Sequence, residues 1–406
     1  MSDSTDYPLP RGLHAIPEEL LDTRSDAEVD RDLLHPDPVS GEKNVWFFWH
    51  AGYATMHPYA KRNVRAWHRR LSKRGWTVRV LDRAPGSPSD VANFLDVSDP
   101  RTFPRAFADG TIGGRYATQH ASDLVRFPLL LRYGGVYADV GLMQIGDLDR
   151  LWHATVADPG SPLEVLSYNI NGCLTNYFMA SRPGNALFRR CHRLLLALWA
   201  EDGGKTGTEG MHGSPLLRGV PLMSCSSSIE EEGKTIPADE VRKMLSDYIV
   251  QGQATMMVMG LVDEDDGWDG PRYAAERVCG IDYMVGSQLI NELTSWDGRK
   301  AFDLMSLPLP KHGEAESSEQ RRARDVVEAC LQRSFGFKLA HGLILRVFGC
   351  TLGSLWRDHE GSDDVPGTYA HWLRHATTCW NQDELPAALE FQVIEPLKRG
   401  PLLSER

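Results

Sequence analysis

Long apolar runs are missing from this chain. No stretch approaches the roughly 18 consecutive apolar residues that a membrane-spanning helix requires. The N-terminal segment is acidic and interrupted by prolines, so it lacks the basic and then apolar order of a secretory signal peptide. These absences predict a cytoplasmic protein that has no membrane partner.

An excess of positive charge is also missing. Lys and Arg number 44 and Asp and Glu number 55, so the formal net charge is −11. This balance disfavours a broad nucleic-acid surface, although it leaves room for a local basic groove. An RNA partner is therefore the less favoured expectation.

Two kinds of cysteine- and glycine-based site can be excluded. The 7 cysteines are scattered and form no Cys-x-x-Cys pair, which predicts reduced thiols rather than disulfides or a zinc site. The glycine-rich segment that begins at Gly203 contains Lys205, but Trp199 stands where a Walker loop requires a glycine. A phosphate loop of that type is excluded.

The composition is otherwise that of a globular chain, 42% hydrophobic and 24% charged, which can bury a sizeable core. Residues 1–43 contain several prolines and are predicted to form an extended N-terminal arm. We expect residues 44–310 to form an α/β domain and residues 311–406 to form a helical C-terminal region. The helices expected in that region are Glu319–Arg333 and Thr368–Cys379.

The α/β domain opens with a strand, a helix and a strand. Asn44–Trp49 is a largely apolar run of strand length, Pro58–Lys73 has a helical pattern, and Thr77–Leu81 is again strand-like. Further along, Glu164–Tyr168 and Thr175–Ala180 are predicted strands. A helix over Ala186–Ala200 follows, and Ala254–Val262 is apolar enough for a buried strand or a helix core.

Between the opening strand–helix–strand unit and the later strands, one segment contains a short strand with charged residues on both sides of it. Ser122 and Asp123 are predicted to cap a helix that the pair Gly134-Gly135 ends. Val136–Ala138 is predicted to be a buried strand that delivers Asp139 to its carboxyl end. Ligands bind at that edge in open α/β sheets.

Asp123 and Arg126 are 3 positions apart, so they share one face of the predicted helix, near its start. Arg126 can offer a planar fork to a phosphate or carboxylate while Asp123 orients it. The alternative is a buried ion pair that clamps the helix to the sheet. Both interpretations stay open at this point.

The pattern Ser-Asp-x-x-Arg-x-x-x-Leu-x-x-Tyr-Gly-Gly-Val-Tyr-x-Asp, which runs from Ser122 to Asp139, resembles the central motif of the DXD-type glycosyltransferases. That group includes bacterial capsular polysaccharide synthesis proteins and fungal initiating mannosyltransferases. The resemblance covers roughly residues 44–220. It implies a GT-A-like mixed sheet flanked by helices, here with a helical C-terminal cap. It also implies transfer of a sugar from a nucleotide-sugar donor to a small-molecule or glycan acceptor.

The resemblance is incomplete at the metal site. In those families the strand ends in Asp-x-Asp, and the second acid holds a divalent metal against the donor's diphosphate, whereas this chain has Asp139-Val140-Gly141. A hard cation prefers several oxygen ligands, so the resemblance implies weak binding of Mn or Mg by Asp139. Otherwise Asp147, Asp149 or the acidic run Asp263–Asp266 substitutes for the missing acid, or the scaffold performs other chemistry.

Roles for individual residues follow from the same resemblance. Asp139 and His212 are expected to be catalytic, His212 because it lies where related transferases have a loop that closes over the donor. The alternative for His212 is an ordinary surface loop. The residues expected to bind donor or substrate are His50, Gly52, Asp82, Asp123, Arg126, Gly134, Gly135, Tyr137 and Gly141.

Two other functions compete with sugar transfer. A similarity to fungal arginine-containing cyclodipeptide synthases of secondary metabolism would imply aminoacyl-tRNA as substrate. Asp139 and the acidic run Asp263–Asp266 would then form a pocket for an arginine side chain. A noncatalytic, degenerate transferase would bind its ligand without turnover.

Overall fold

The structure is a computed structural model that describes residues 7–231, 233–311 and 313–403. Its strands are β1 (Leu13–Ala15), β2 (Asn44–Phe48), β3 (Thr77–Leu81), β4 (Gly135–Ala138), β5 (Leu142–Gln144), β6 (Val165–Ile170), β7 (Cys173–Ser181), β8 (Ile229–Glu231), β9 (Lys234–Ile236), β10 (Leu261–Asp263), β11 (Trp268–Asp269), β12 (Val278–Asp282), β13 (Gly336–Lys338), β14 (Trp380–Gln382) and β15 (Lys398–Arg399). Its helices are α1 (Asp26–Leu34), α2 (Pro58–Leu71), α3 (Arg105–Ala108), α4 (Ala117–Tyr133), α5 (Leu148–Ala154), α6 (Ala186–Ala200), α7 (Ala238–Tyr248), α8 (Val250–Met259), α9 (Gly270–Arg277), α10 (Tyr283–Ser287), α11 (Leu289–Leu293), α12 (Gly298–Ser306), α13 (Ser318–Arg333), α14 (Leu343–Phe348), α15 (Leu352–Asp358) and α16 (Tyr369–Cys379).

The central sheet has 6 strands in the order β12-β6-β7-β4-β2-β3. Strand β2 pairs in parallel with both β3 and β4, and β12 pairs in parallel with β6. Strand β7 runs antiparallel to its neighbours β4 and β6. The sheet is therefore mixed and flanked by helices, as the sequence predicts.

Side chains that alternate along the sheet strands pack into two hydrophobic cores, one on each face of the sheet. In β2, Val45 and Phe47 belong to one buried cluster and Trp46 and Phe48 to the other. The first cluster also contains apolar residues of α1, α2 and the C-terminal helices, and the second contains those of α4, α6 and α8. Because successive strand residues point to opposite faces, an apolar run such as β2 must be covered by helices on both sides.

Most of the predicted elements are confirmed. Strands β2, β3 and β4 and helix α6 begin and end within one residue of their predicted positions. The predicted start of α4 is wrong: this helix begins at Ala117, so Ser122 and Asp123 lie in its interior and do not cap it. The apolar run Ala254–Val262 is divided between the end of α8 and β10.

The N-terminal arm contains structure that its prolines did not suggest. Helix α1 begins after Ser25, whose side chain and that of Glu28 form a reciprocal capping box. Strand β1 pairs antiparallel with β14, which joins the arm to the end of the C-terminal helices. The division of the chain at residues 43 and 310 stays a prediction.

The C-terminal region is helical, as predicted, and also contributes a strand to the neighbourhood of the central motif. Helices α13 and α16 match the two expected ones closely. Strand β13 follows α13 and pairs antiparallel with β5, so that Lys338 lies opposite Leu142. Within the described ranges, none of the helices has both the length and the apolar character needed to cross a membrane.

The junction between α4 and β4 depends on Gly135. Its φ is +92°, and a Cβ there would stand 2.3 Å from the carbonyl oxygen of Asn44 and 2.8 Å from that of Glu42. We expect Gly135→Ala to lower the free energy of unfolding by about 3 kcal/mol or more, because neither backbone can move without breaking the β2–β4 ladder. Chemical denaturation followed by circular dichroism measures this loss.

Gly75→Ala is the matched control. Gly75 has a φ of +80°, but no atom lies within 4 Å of a Cβ built there. This variant isolates the conformational penalty, about 1–2 kcal/mol. Equal losses in the two variants would contradict the role assigned to close backbone packing.

Candidate active site

Helix α4 and strand β4 bring the charged residues of the central motif together. The register pairs Trp46 with Tyr137, so Asp139 follows β4 at the same edge at which β2 ends. Tyr137 and Asp139 alternate with Ala138 and therefore face the α4 side of the sheet. On α4, the side chains of Ser122, Asp123 and Arg126 lie on the helix face that points towards Tyr137 and Asp139.

Four side chains form an alternating chain of charges, which we call the ion cluster: Asp123, Arg126, Asp139 and Lys338. Arg126 Nη1 lies 2.6 Å from Asp123 Oδ1, and Arg126 Nη2 lies 2.9 Å from Asp139 Oδ1. Lys338 Nζ lies 2.7 Å from Asp139 Oδ2. The cluster contains two carboxylates and two cations, so it is neutral as a whole.

Neutral side chains fix the buried end of the ion cluster. The Nη1 of Arg126 also donates to Gln251 Oε1 at 2.9 Å, while Gln251 Nε2 donates to the carbonyl of Asp123 at 2.8 Å. Asn176 Nδ2 donates to Asp123 Oδ1 at 3.2 Å. The guanidinium of Arg126 lies 5.0 Å from the centre of the Tyr137 ring, a cation–π contact. These contacts leave Arg126 little freedom.

The hydroxyl of Tyr137 is held by the same helix. It lies 2.6 Å from Ser122 Oγ, and burial raises the pKa of Tyr137 to about 12. The side chain is fully buried. The ring of Tyr137 therefore packs against the guanidinium of Arg126, and the Tyr137 hydroxyl stays protonated at neutral pH.

The other end of the ion cluster is accessible. The side chains of Asp139 and Lys338 are 23% and 16% exposed, whereas those of Arg126 and Asp123 are 5% and 8% exposed. Burial alone would raise the pKa of Asp139, but the charges of Lys338 and Arg126 outweigh it and hold the pKa below its usual value. Asp139 is thus an ionised carboxylate that a ligand can reach.

A histidine of α4 connects the ion cluster to the loop between α6 and β8. His120 Nδ1 lies 3.6 Å from Asp123 Oδ2, and its Nε2 lies 3.1 Å from Thr208 Oγ1. The ring of Tyr248 packs 6.0 Å from the imidazole. Burial, together with the charges of Asp123 and Asp139, raises the pKa of Tyr248.

His212, in the same loop, is oriented by an acid. Its Nδ1 lies 2.9 Å from Asp247 Oδ1, and the backbone amides of Gly210 and His212 donate to the same carboxylate. A carboxylate only accepts, so Nδ1 carries the proton and Nε2 is the basic nitrogen. This geometry suits a general base, while the catalytic role of His212 stays a prediction.

His50, Gly52 and Asp82 form a second group at the carboxyl ends of β2 and β3. A Cβ on Gly52 would lie 3.2 Å from Asp82 Oδ2, and the amide of Arg83 donates to the His50 carbonyl at 3.1 Å. Asp82 accepts from Ser87 Oγ at 2.7 Å and from the amide of Ala84 at 3.0 Å. Burial raises the pKa of Asp82. Their donor-binding role stays a prediction, since these bonds also serve the turn.

The motif glycines lie in two different places. Gly134 ends α4 and Gly135 begins β4, so both lie at the end of the strand remote from Asp139, where close packing accounts for them. Their assignment as donor-binding residues gains no support from this placement. Gly141 is beside the ion cluster: its carbonyl accepts from the amide of Leu339 at 2.8 Å.

The acids suggested as replacements for the missing second aspartate are engaged elsewhere. Asp147 caps α5 and pairs with Arg74 at 2.8 Å, and Asp149 pairs with Lys43 at 2.8 Å. In the acidic run after β10, Asp266 pairs with Arg190 at 2.6 Å. None of these contacts involves Asp139.

The side chains around Asp139 do not fit a divalent metal. Both of its oxygens already face a cation, and Gly141 supplies no carboxylate. Among the described residues, the acids and histidine that converge closely enough for a metal are Asp22, Asp32 and His68, in the arm and on α2. There, Arg24 already lies 2.6 Å from Asp22 Oδ2.

Sequence reasoning missed Lys338, Gln251, His120 and Asn176. Lys338 is 199 positions from Asp139 and Gln251 is 125 positions from Arg126. No local pattern marks such residues, because only the packing of α8 and β13 against the motif brings them there. His120 is different, because it lies 3 positions before Asp123. If α4 is taken to begin at Ala117, the sequence predicts His120 on the same helix face as Asp123.

Comparisons with known proteins agree on one kind of enzyme. Residues 15–203 match the family described as capsular polysaccharide synthesis protein. O-glycosyltransferase braB of Annulohypoxylon truncatum is 31% identical over 414 residues, which cover 99% of this chain and 95% of that protein. Glycosyltransferase afumC of Aspergillus fumigatus is 35% identical over 395 residues, with 94% and 96% covered.

A third relative and one solved structure also match this chain. O-glycosyltransferase PaGT of Phomopsis amygdali is 32% identical over 411 residues, which cover 98% of this chain and 95% of that protein. The structure of the PaToxG glycosyltransferase shares 14% identity over 45% of this chain and 68% of that chain, with a TM-score of 0.28. That value is too low to bear on the fold or the site.

Proposed function

The chain belongs to the family of glycosyltransferases that includes these fungal relatives, and from this we propose that it transfers a sugar from a nucleotide-sugar donor to a hydroxyl group of a small molecule or glycan. The observation that carries the proposal is the ion cluster at the carboxyl edge of the mixed sheet, with Asp139 and Lys338 open to a ligand. Two relatives are named O-glycosyltransferases, which supports an oxygen acceptor here.

Within this proposal the sheet edge is a GT-A-like donor site. The ammonium of Lys338 faces the departing diphosphate, and fixed positive charge is worth most where negative charge develops during the reaction. Each carboxylate oxygen can accept two hydrogen bonds, so Asp139 keeps acceptor sites for a donor hydroxyl although Arg126 and Lys338 bind it. His50 and Asp82, at the ends of β2 and β3, are proposed to border the nucleoside.

His212 is proposed to accept the proton of the acceptor hydroxyl. Asp247 holds the tautomer in which Nε2 is basic, which is how an acid and a histidine cooperate in general-base catalysis. The loop of His212 reaches the motif through the contact of Thr208 with His120.

The other candidate functions receive no specific support from the site. Asp139 already faces Arg126 and Lys338, so an acidic pocket for a substrate guanidinium is absent from this part of the described chain. A product that forms from charged tRNA and disappears on ribonuclease treatment would favour the cyclodipeptide synthase. Ligand binding without turnover would favour the noncatalytic transferase.

The proposed compartment is the cytoplasm. All of the cysteines are free thiols, and most of them are buried. Free thiols persist in reducing compartments. Fractionation of the producing cells tests this proposal, and recovery in a secretory fraction would contradict it.

The donor class is tested with a panel of nucleoside diphosphates and their sugars. We expect at least one nucleoside diphosphate to raise the melting temperature, because it binds only to the folded protein. The corresponding nucleotide sugar should be hydrolysed slowly or transferred to a phenol or alcohol. If no member of the panel binds, the proposed donor class is wrong.

His212→Gln tests the proposed base. We expect kcat to fall by about 100-fold or more, while KM for the donor changes little, since the imidazole acts on the acceptor. His153→Gln is the control: His153 is exposed and its Nε2 lies 3.6 Å from Asp149. A wild-type kcat in His212→Gln would remove this residue from the mechanism.

A further inference from the structure

The ammonium group of Lys338 lies beside the position at which a second DXD carboxylate would begin. Pairing of β13 with β5 places Lys338 opposite Leu142, the residue after Gly141. A Cβ at Gly141 would be 3.4 Å from Lys338 Nζ and 3.0 Å from the Leu339 carbonyl. An aspartate at position 141 would therefore point at the space that the ammonium group fills.

The charges balance as they would in a metal site. The two carboxylates of a DXD motif and a divalent cation sum to zero, and so do Asp139 and Lys338. The two arrangements differ in where the positive charge comes from: here a side chain of the protein supplies it. A ligand therefore meets a fixed ammonium group in place of an exchangeable ion.

Lys338 retains capacity for a ligand. An ammonium group has three N–H donors, and among the described residues only Asp139 accepts one of them. The ring of Tyr177 lies 5.4 Å away on another side. The side chain of Lys338 is 16% exposed, so its remaining donors can face a ligand.

We propose that Lys338, supported by the pair Arg126–Asp139, replaces the divalent metal as the group that binds the diphosphate of the donor, so that this transferase works without a metal. This inference rests on the proposed function. In the transfer step the acceptor oxygen bonds to the anomeric carbon as its bond to the β-phosphate oxygen breaks. The phosphate oxygen keeps the electron pair, His212 takes the acceptor proton, and the ammonium of Lys338 donates hydrogen bonds to the leaving diphosphate and offsets part of its charge.

Binding of inorganic pyrophosphate, measured by calorimetry in excess EDTA, tests the inference without knowledge of the nucleoside. The wild type is expected to bind in EDTA, and Lys338→Gln is expected to bind about 10- to 100-fold more weakly, as loss of a charge-assisted contact implies. Lys338→Arg keeps the charge and should retain most of the affinity. Equal affinity of Lys338→Gln and wild type would overturn the inference.

Lys43→Gln is the matched control. Lys43 also joins two elements through one aspartate, with its Nζ 2.8 Å from Asp149 Oδ1, but it precedes β2 at the opposite edge of the sheet. This variant should bind pyrophosphate like the wild type. Melting temperatures of both lysine variants separate a loss of binding from a loss of folding.

The double variant Gly141→Asp/Lys338→Ala provides the converse test. It restores the second acid and removes the ammonium group beside it, so its pyrophosphate binding is expected to require Mn²⁺. Wild-type binding that requires Mn²⁺ would overturn metal replacement and leave sugar transfer standing. Wild type that binds no pyrophosphate with or without Mn²⁺ would instead contradict the proposed diphosphate donor.

Discussion

Arg126→Met is expected to abolish transfer and to lower the free energy of unfolding by about 3–5 kcal/mol. Methionine fills a similar length, but it leaves the buried carboxylate of Asp123 without its cation and frees Asp139 to move. Removal of one partner of a buried ion pair is far more destabilising than loss of an exposed pair. Urea denaturation and a donor-hydrolysis assay measure the two effects.

Arg132→Met is the control on the same helix. Arg132 is exposed and its guanidinium lies over the ring of Tyr133 at 5.3 Å. We expect its stability to change by less than about 1 kcal/mol and its activity to be kept. If Arg126→Met behaved like this control, the ion cluster would not be the centre of the site.

The part of the site that was predictable from the sequence is the part encoded locally. Each residue of β2 is buried on one face of the sheet or the other, so its continuous apolar run identifies it without tertiary information. Gly134 and Gly135 mark the junction between α4 and β4, because positive φ values there favour glycine. Strand β4 then places Asp139 at the ligand-binding edge.

The start of α4 was mispredicted because Ser122 and Asp123 have side chains typical of helix caps. In the structure these side chains bond to Tyr137 and to Arg126 instead of to the backbone amides at a helix start. The helix extends back to Ala117, and its N-cap Tyr116 provides no side-chain cap. Tertiary contacts thus override the local capping signal of these two residues.

Lys338 could not be predicted, for a reason of distance along the chain. It lies in a short strand after α13 whose sequence carries no motif, and it reaches Asp139 only because β13 pairs with β5. The absence of an acid at position 141 was visible in the sequence, but what occupies that space was not. The pairing of β13 with β5 determines which side chain lies beside Gly141.

Asp139→Ala is expected to lower kcat by about 100- to 1,000-fold and the free energy of unfolding by about 1 kcal/mol. Asp123→Ala is also expected to lose activity, but its free energy of unfolding should fall by about 3 kcal/mol. Asp139 is partly exposed, so water can solvate Lys338 once the carboxylate is removed. Arg126 still has its ion pair with Asp123 and its hydrogen bond to Gln251. Asp123 is nearly buried, so its removal also leaves the amide of Asn176 without that acceptor.

The difference between these two variants distinguishes a functional acid from a structural one. The reason for the stability loss in Asp123→Ala is burial of its ion pair with Arg126, since Asp123 lies inside α4 and caps nothing. Asp90→Ala is a suitable control, because this acid caps only a short turn through the amide of Ala92. Full turnover in Asp139→Ala would remove the carboxylate from the mechanism, and equal stability losses in the two site variants would show that Asp139 is held as tightly by the fold as Asp123.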